Sequence, residues 1–186
     1  MKNLIYCILT FILSSQGFSQ NQIELNESNS CSINGKVISG NVELFESNED
    51  AIEIIDNILS EIGAERSFQI FAGNVPNAVA RVQNGKRYII YNPNFISHLI
   101  DVSQSYWSAI GVLAHEIGHH INGHTLDGLG SRPNKEIKAD EFAGFVMFKM
   151  GASLSEAQTL FSNRLMYQEY DSRTHPRTSA RLEAIA

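Results

Sequence analysis

Cysteine is nearly absent from this chain: 186 residues include two, Cys7 and Cys31. A disulfide framework is therefore excluded, and a stable fold must rest on a packed apolar core. Proline is scarce too, at four residues, which leaves room for uninterrupted helices. Basic residues are the minority, with 14 Lys and Arg against 20 Asp and Glu and a net charge of −6. Without a basic surplus a chain cannot neutralise a phosphate backbone, so nucleic acid is not an expected partner. Long apolar runs are also missing. The runs at residues 4–13 and 142–148 both fall well short of the about 20 residues that a bilayer core requires.

The first of these runs has another reading. Lys2 precedes it, and the small residues Gly17 and Ser19 follow it at the −3 and −1 positions of a cleavage before Gln20. That is the layout of a secretory signal peptide over residues 1–19, so the mature chain is expected to be exported, to a periplasm or the outside. It has no later spanning segment. Peripheral contact with a membrane surface and the oligomeric state stay open. Loss of the leader leaves Cys31 as the lone cysteine, which excludes an internal disulfide and reads as an incidental free thiol. Residues 20–35 are polar and rich in Asn and Ser, as a mobile lead-in would be. The remaining residues, 36–186, suit one domain with one core.

Within that domain the first half alternates between strand and helix patterns. A weak alternation over 36–45 suggests a strand. Residues 48–63 read as a helix, with Asn48 as its cap, Gly63 at its end, and Ile52, Ile55, Leu59 and Ile62 at steps of three and four. Strands are expected over 67–72, 78–82 and 87–91, with Asn84-Gly85 turning the last two into a hairpin. Pro93 then opens a short helix. The second half is helical throughout: 105–124, 134–150, a helix capped by Ser153 with Glu156 three residues on, and a last helix to the C-terminus.

The chemistry is concentrated in His115-Glu116-Ile117-Gly118-His119, an HExxH. Residues four apart on a helix share a face one turn apart, so two imidazoles at this spacing can hold one zinc ion from the same side. Glu116 is rotated about 100° from His115. It can therefore reach beside the metal, where a carboxylate takes a proton from water and passes it to a leaving amine. With six histidines in the chain, the pattern alone arises by chance in roughly one such chain in a hundred. The context is what counts: Ala109, Ile110, Val112, Leu113 and Ala114 make an apolar run-up, as a buried helix needs.

A catalytic zinc requires a third protein ligand and an open position. Glu136 is the candidate, 17 residues after His119, which is enough for a turn and a returning helix. Asp140 lies four residues further on the same face, placed to accept a hydrogen bond from the far nitrogen of a ligand histidine. His120 and His124 do not complete a longer zinc motif, because Asn122 and Thr125 stand where Gly and His would be needed. Both read as structural or solvent-facing.

Three motifs in order, HEIGHHINGH, EIKADEFAG and THPRTSAR, resemble those of the HtpX-like and CAAX-prenyl-protease-like gluzincin peptidases. The resemblance spans roughly residues 75–186 and is closest to the short, exported, single-domain members. It implies one zinc ion per chain, held by His115, His119 and Glu136, with Glu116 as general base. It implies that His175, followed by Pro176 and then Arg181, lies near the metal. There His175 either stabilises the reacting carbonyl or fills the open zinc position at rest. It also implies that Asn77, Ala78, Val79 and Ala80 belong to an edge strand above the cleft, to which an extended peptide adds as a further strand. The expected fold is α+β and zincin-like: a small twisted, mostly antiparallel sheet on an HExxH active-site helix, with a helical C-terminal half. The expected function is zinc-dependent hydrolysis of peptide bonds in exported or envelope proteins. A zinc-bearing binding or chaperone-like module with little turnover is the alternative.

Overall fold

Two short segments near the N-terminus depart from the expected lead-in. The computed structural model describes residues 22–28, 30–34 and 39–186, so the proposed leader, 1–19, lies outside the described residues. β1 (Gln22–Leu25) and β2 (Ser30–Ser32) are both paired strands, where a mobile lead-in was expected. In β1 the alternation Gln-Ile-Glu-Leu puts Ile23 and Leu25 inside and leaves the polar residues out. Strands this short offer too few positions for a periodicity to stand out from a polar surround.

Further along, β3 (Gly40–Phe45) is followed by α1 (Glu49–Glu61), whose Asn48 side chain accepts from the Ala51 amide as its cap. β4 (Gln69–Gly73), β5 (Ala78–Gln83) and β6 (Lys86–Tyr91) follow. Asn84 and Gly85 both have positive φ, 51° and 73°, as a tight two-residue hairpin demands. Then come α2 (Pro93–Ser103), α3 (Trp107–Ile121), α4 (Pro133–Lys149), the single turns α5 (Leu154–Ala157) and α6 (Thr159–Ser162), and α7 (Thr178–Ile185). Ser153 and Glu156 form the expected capping box. α3 ends before residue 124, at the cap residue Asn122, because Gly123 turns the chain with φ 69°.

The molecule is thus mixed α+β. Its six strands run in the order β1-β3-β4-β6-β5-β2, with every pairing antiparallel except β4 with β6. This order has a geometric consequence. Six strands laid flat put the outer two about 24 Å apart, yet the five steps from Leu25 to Ser30 can span at most about 18 Å. The sheet must therefore curl. Accordingly Ile23, Leu25 and Val42 pack with Val75, Val79 and Ile90 as a small second core on one face. The other face carries the main core, where Ala78, Ile89 and Tyr91 meet α1, α3 and the helices beyond.

α3 lies at the centre, buried at every position from 108 to 120. A helix covered all round explains its continuous apolar run-up. Each fully buried aliphatic side chain in such a core stabilises the fold by about 1.5–3 kcal/mol. α4 packs along α3 at a glycine: a Cβ on Gly118 would stand 3.2 Å from both Cα and O of Ala139. That close approach brings the first turns of α4 over the far end of α3. Among the described residues no helix is long and apolar enough to cross a membrane.

Candidate metal centre

His115 and His119 project from α3 on the same side, four residues apart, and their Nε2 atoms are 3.0 Å from one another. Glu136, in the first turn of α4, faces both. Its Oε2 is 3.2 Å from His115 Nε2 and its Oε1 is 3.5 Å from His119 Nε2. All three side chains are fully buried. They form the one group among the described residues that could hold a metal ion, with ligand atoms all within 4.8 Å of one another. Neither Glu136 oxygen has a hydrogen bond of ordinary geometry. A carboxylate buried without such bonds is costly unless a cation balances it.

The tautomer of His115 follows from its neighbours. Its Nδ1 donates to Asp140 Oδ1 at 2.8 Å, because an ionised carboxylate can only accept. In the neutral imidazole, the form that can bind a metal, the lone pair is then left on Nε2, which faces Glu136 and His119. Asp140 is itself held by Arg181, whose Nε and Nη2 donate to its two oxygens at 2.7 and 2.8 Å. Two parallel charge-assisted bonds fix a carboxylate in position and orientation. The Arg181 guanidinium also lies over the Phe161 ring, 3.9 Å from its centre. The chain Arg181–Asp140–His115 therefore runs from α7 through α4 to α3.

The electrostatics separate the two imidazoles. Burial works against a charge on His115, but Asp140 and Glu136 outweigh it and raise its pKa to about 9. His119 lacks a carboxylate on its far side, and burial lowers it to about 4. Burial would raise Glu136 as well, yet the imidazoles beside it hold it well below the usual carboxylate range. At Glu116 the influence of His115 and Arg181 does not offset burial. This carboxyl is fully buried, neither oxygen has a hydrogen bond of ordinary geometry, and burial pushes it up to about 8.

His175 joins the same cluster from the segment before α7. Its Nε2 donates to the Ser32 carbonyl at 2.5 Å and is 3.2 Å from Glu136 Oε2. A residue 56 positions from His119 in sequence is thus brought against the same carboxylate. His124 is closer to the site than the sequence suggests: its Nδ1 is 3.0 Å from His119 Nδ1. It gets there because the chain turns after Asn122, with the His124 amide donating to the His119 carbonyl. No helical period could have indicated that position. His120 is structural, as expected, donating to the Tyr88 carbonyl at 2.9 Å and stacking on Phe68. Lys135 carries no signal in the sequence. It is buried beside the site and its Nζ donates to the carbonyls of His124 and Gly130 and to Asp127, which ties down the loop between α3 and α4.

One expectation needs correction. Asn77, Ala78, Val79 and Ala80 were to line a free sheet edge above the cleft, but that edge is taken. β2 pairs with β5, setting Ser30, Cys31 and Ser32 opposite Arg81, Ala80 and Val79. Residues 77–80 are fully buried in consequence. Cys31 is a free thiol, as expected, but it is buried on β2 rather than set in a mobile lead-in. It is enclosed between β5 and the site, where burial pushes its thiol far above its ordinary value.

No family model, curated protein or solved structure matches the chain.

Proposed function

We propose that this chain is an exported zinc-dependent endopeptidase of zincin type. The observation that supports it most is the burial of two imidazoles and a carboxylate around one point, with Glu116 beside them. The donor set suits zinc. With bonds of about 2.0–2.2 Å, ligand atoms at neighbouring corners of a tetrahedron lie about 3.3–3.6 Å apart. The two Nε2 atoms are 3.0 Å apart, and each imidazole meets one oxygen of Glu136, His115 with Oε2 at 3.2 Å and His119 with Oε1 at 3.5 Å, near that spacing. Three protein ligands of this kind are typical of zinc sites that react rather than only brace a fold.

Zinc bound there supplies a Lewis acid that polarises a carbonyl and makes water easier to deprotonate. The chain's own residues account for the rest. Glu116 takes the proton from the attacking water and delivers it to the leaving amine. A carboxyl raised to about 8 exchanges protons readily near neutral pH. Asp140, braced by Arg181, keeps the His115 lone pair aimed at the ligand position. His175 offers an N–H into the same space, where it can support negative charge on the substrate oxygen.

The test is digestion of an unfolded protein such as casein, with and without chelator, by wild type and Glu116→Gln. The amide keeps the shape and removes the base. Turnover should fall by about 10² to 10⁴ while the metal content stays the same. Digestion indifferent to both chelator and substitution refutes the reading. Metal without any chelator-sensitive digestion is what a binding or chaperone-like module would give.

A further inference from the structure

The candidate site is closed from above by the chain itself. His115, Glu116, His119 and Glu136 are fully buried, and residues 30–34 lie against this cluster, with Cys31 near the two glutamates and the Ser32 carbonyl on His175. The way this segment is held is unusual for a strand of three residues. Two consecutive carbonyls are taken by side chains of the site: Ser32 O accepts from His175 Nε2 and Ile33 O accepts from Arg181 Nη1, both at 2.5 Å. The Ser32 amide donates to Ser131 Oγ at 3.3 Å, and its hydroxyl donates to Asn77 Oδ1 at 3.0 Å. Cys31 and Ile33 point inward, one toward the two glutamates of the site and the other into the main core. The strand is thus gripped through its backbone, with small or aliphatic side chains facing the chemistry.

Backbone capture at a sheet edge is how proteins bind extended peptides of varied sequence. The bonds to the Ser32 and Ile33 carbonyls do not depend on the side chains there, whereas the Ile33 side chain and the Ser32 hydroxyl are what tie this particular segment down. Most of the backbone bonds made by β2 could be made by any extended chain lying antiparallel to β5. His175 is the group that the proposed reaction turns toward a substrate oxygen, and here its N–H is occupied by a peptide carbonyl.

We propose that residues 30–34 are a built-in occupant of the substrate track: an autoinhibitory strand that an extended, unfolded polypeptide displaces, taking over β5, His175 and Arg181 with its own backbone. This inference rests on the peptidase reading of the site. It also defines the substrate class as unfolded or extended segments with small residues beside the reacting bond. A folded protein surface could not enter between β5 and the loop at Ser131.

Cys31 provides a direct reporter, because it sits on the strand and is fully buried. In zinc-loaded Glu116→Gln protein, alkylation at Cys31 is followed by residue-resolved mass spectrometry with increasing reduced, carboxymethylated casein. Displacement predicts a saturable rise in rate of roughly tenfold or more, since labelling follows the open population. A rate unmoved by casein that measurably binds the protein overturns the proposal. The second arm is Ile33→Asp, which puts a charge in the core and favours release of the strand. It should label faster at Cys31, keep its zinc, bind casein more tightly, and digest it roughly tenfold faster than wild type. Faster labelling with casein binding and digestion unchanged or weaker overturns the proposal. Faster labelling with tighter binding but no digestion by either protein upholds the strand's role and refutes the peptidase reading. If Ile33→Asp does not fold, the casein-driven labelling decides alone.

Discussion

The α3–α4 pair and the segment of residues 22–34 meet over the same cluster, but they are built in opposite ways. α3 is buried on all sides, and α4 reaches it through a glycine contact where even a Cβ would be tight against Ala139. Residues 22–34 are two strands of four and three residues, secured mainly by backbone bonds and by a few apolar side chains, among them Ile23, Leu25 and Ile33. Ligand atoms must stay within a fraction of an ångström of their places, and only dense packing on long elements achieves that. A cover has no such requirement. Elements with few buried contacts are also the ones that open at low free-energy cost.

The comparison can be broken by showing that metal binding depends on the cover, or access on the helices. The largest effect is expected for His115→Ala, which should abolish stoichiometric metal in elemental analysis of the purified protein while the strands at 22–34 stay protected in hydrogen exchange. Retention of one ion per chain would remove His115 from the ligand set. Next comes Asp140→Ala. It leaves both imidazoles in place but frees the His115 ring, so zinc affinity should fall about 10- to 100-fold in a competitive chelator titration. An unchanged affinity would mean that the Arg181–Asp140 pair serves only the fold.

A stability change is the sharper probe of the helix contact. Gly118→Val forces side-chain atoms against Ala139, where a Cβ alone already comes to 3.2 Å. Overpacking of this kind costs about 1–3 kcal/mol. It should lower the urea midpoint and weaken the metal together, because Glu136 moves with α4. Loss of stability at unchanged zinc affinity would separate the crossing from the site. Ile33→Val is the mildest change. Removing one buried methylene costs about 0.5–1.5 kcal/mol. It should raise the Cys31 labelling rate with metal content untouched, and metal loss in this variant would contradict the division between scaffold and cover.

Much of the site could be read along the chain because helices make local spacing meaningful. His115, Glu116 and His119 share a face through the 3.6-residue turn, and Glu136 with Asp140 do so on the return helix. The same rule fails for His124, which reaches His119 through a turn beyond the helix end, and for Lys135, whose bonds run to loop carbonyls. It fails again for residues 22–34. Their composition resembles that of a loop, and three or four residues carry too little pattern to be recognised as strands.

The sequence by itself determined the elements that carry periodic signals: the capped α1, the Asn84-Gly85 hairpin, the buried α3 and the grouping of five polar residues on α3 and α4 into a candidate site. Local geometry suffices there, since neighbours in sequence are neighbours on one helix face or across one turn. Only the tertiary structure decided that the sheet curls, that β2 lies on β5, and that His175 and Arg181 hold carbonyls more than 140 positions away in sequence. Such contacts join groups that no periodicity links. They are selected by which segments can satisfy buried backbone donors and acceptors at once, and that is settled only when the whole chain is packed.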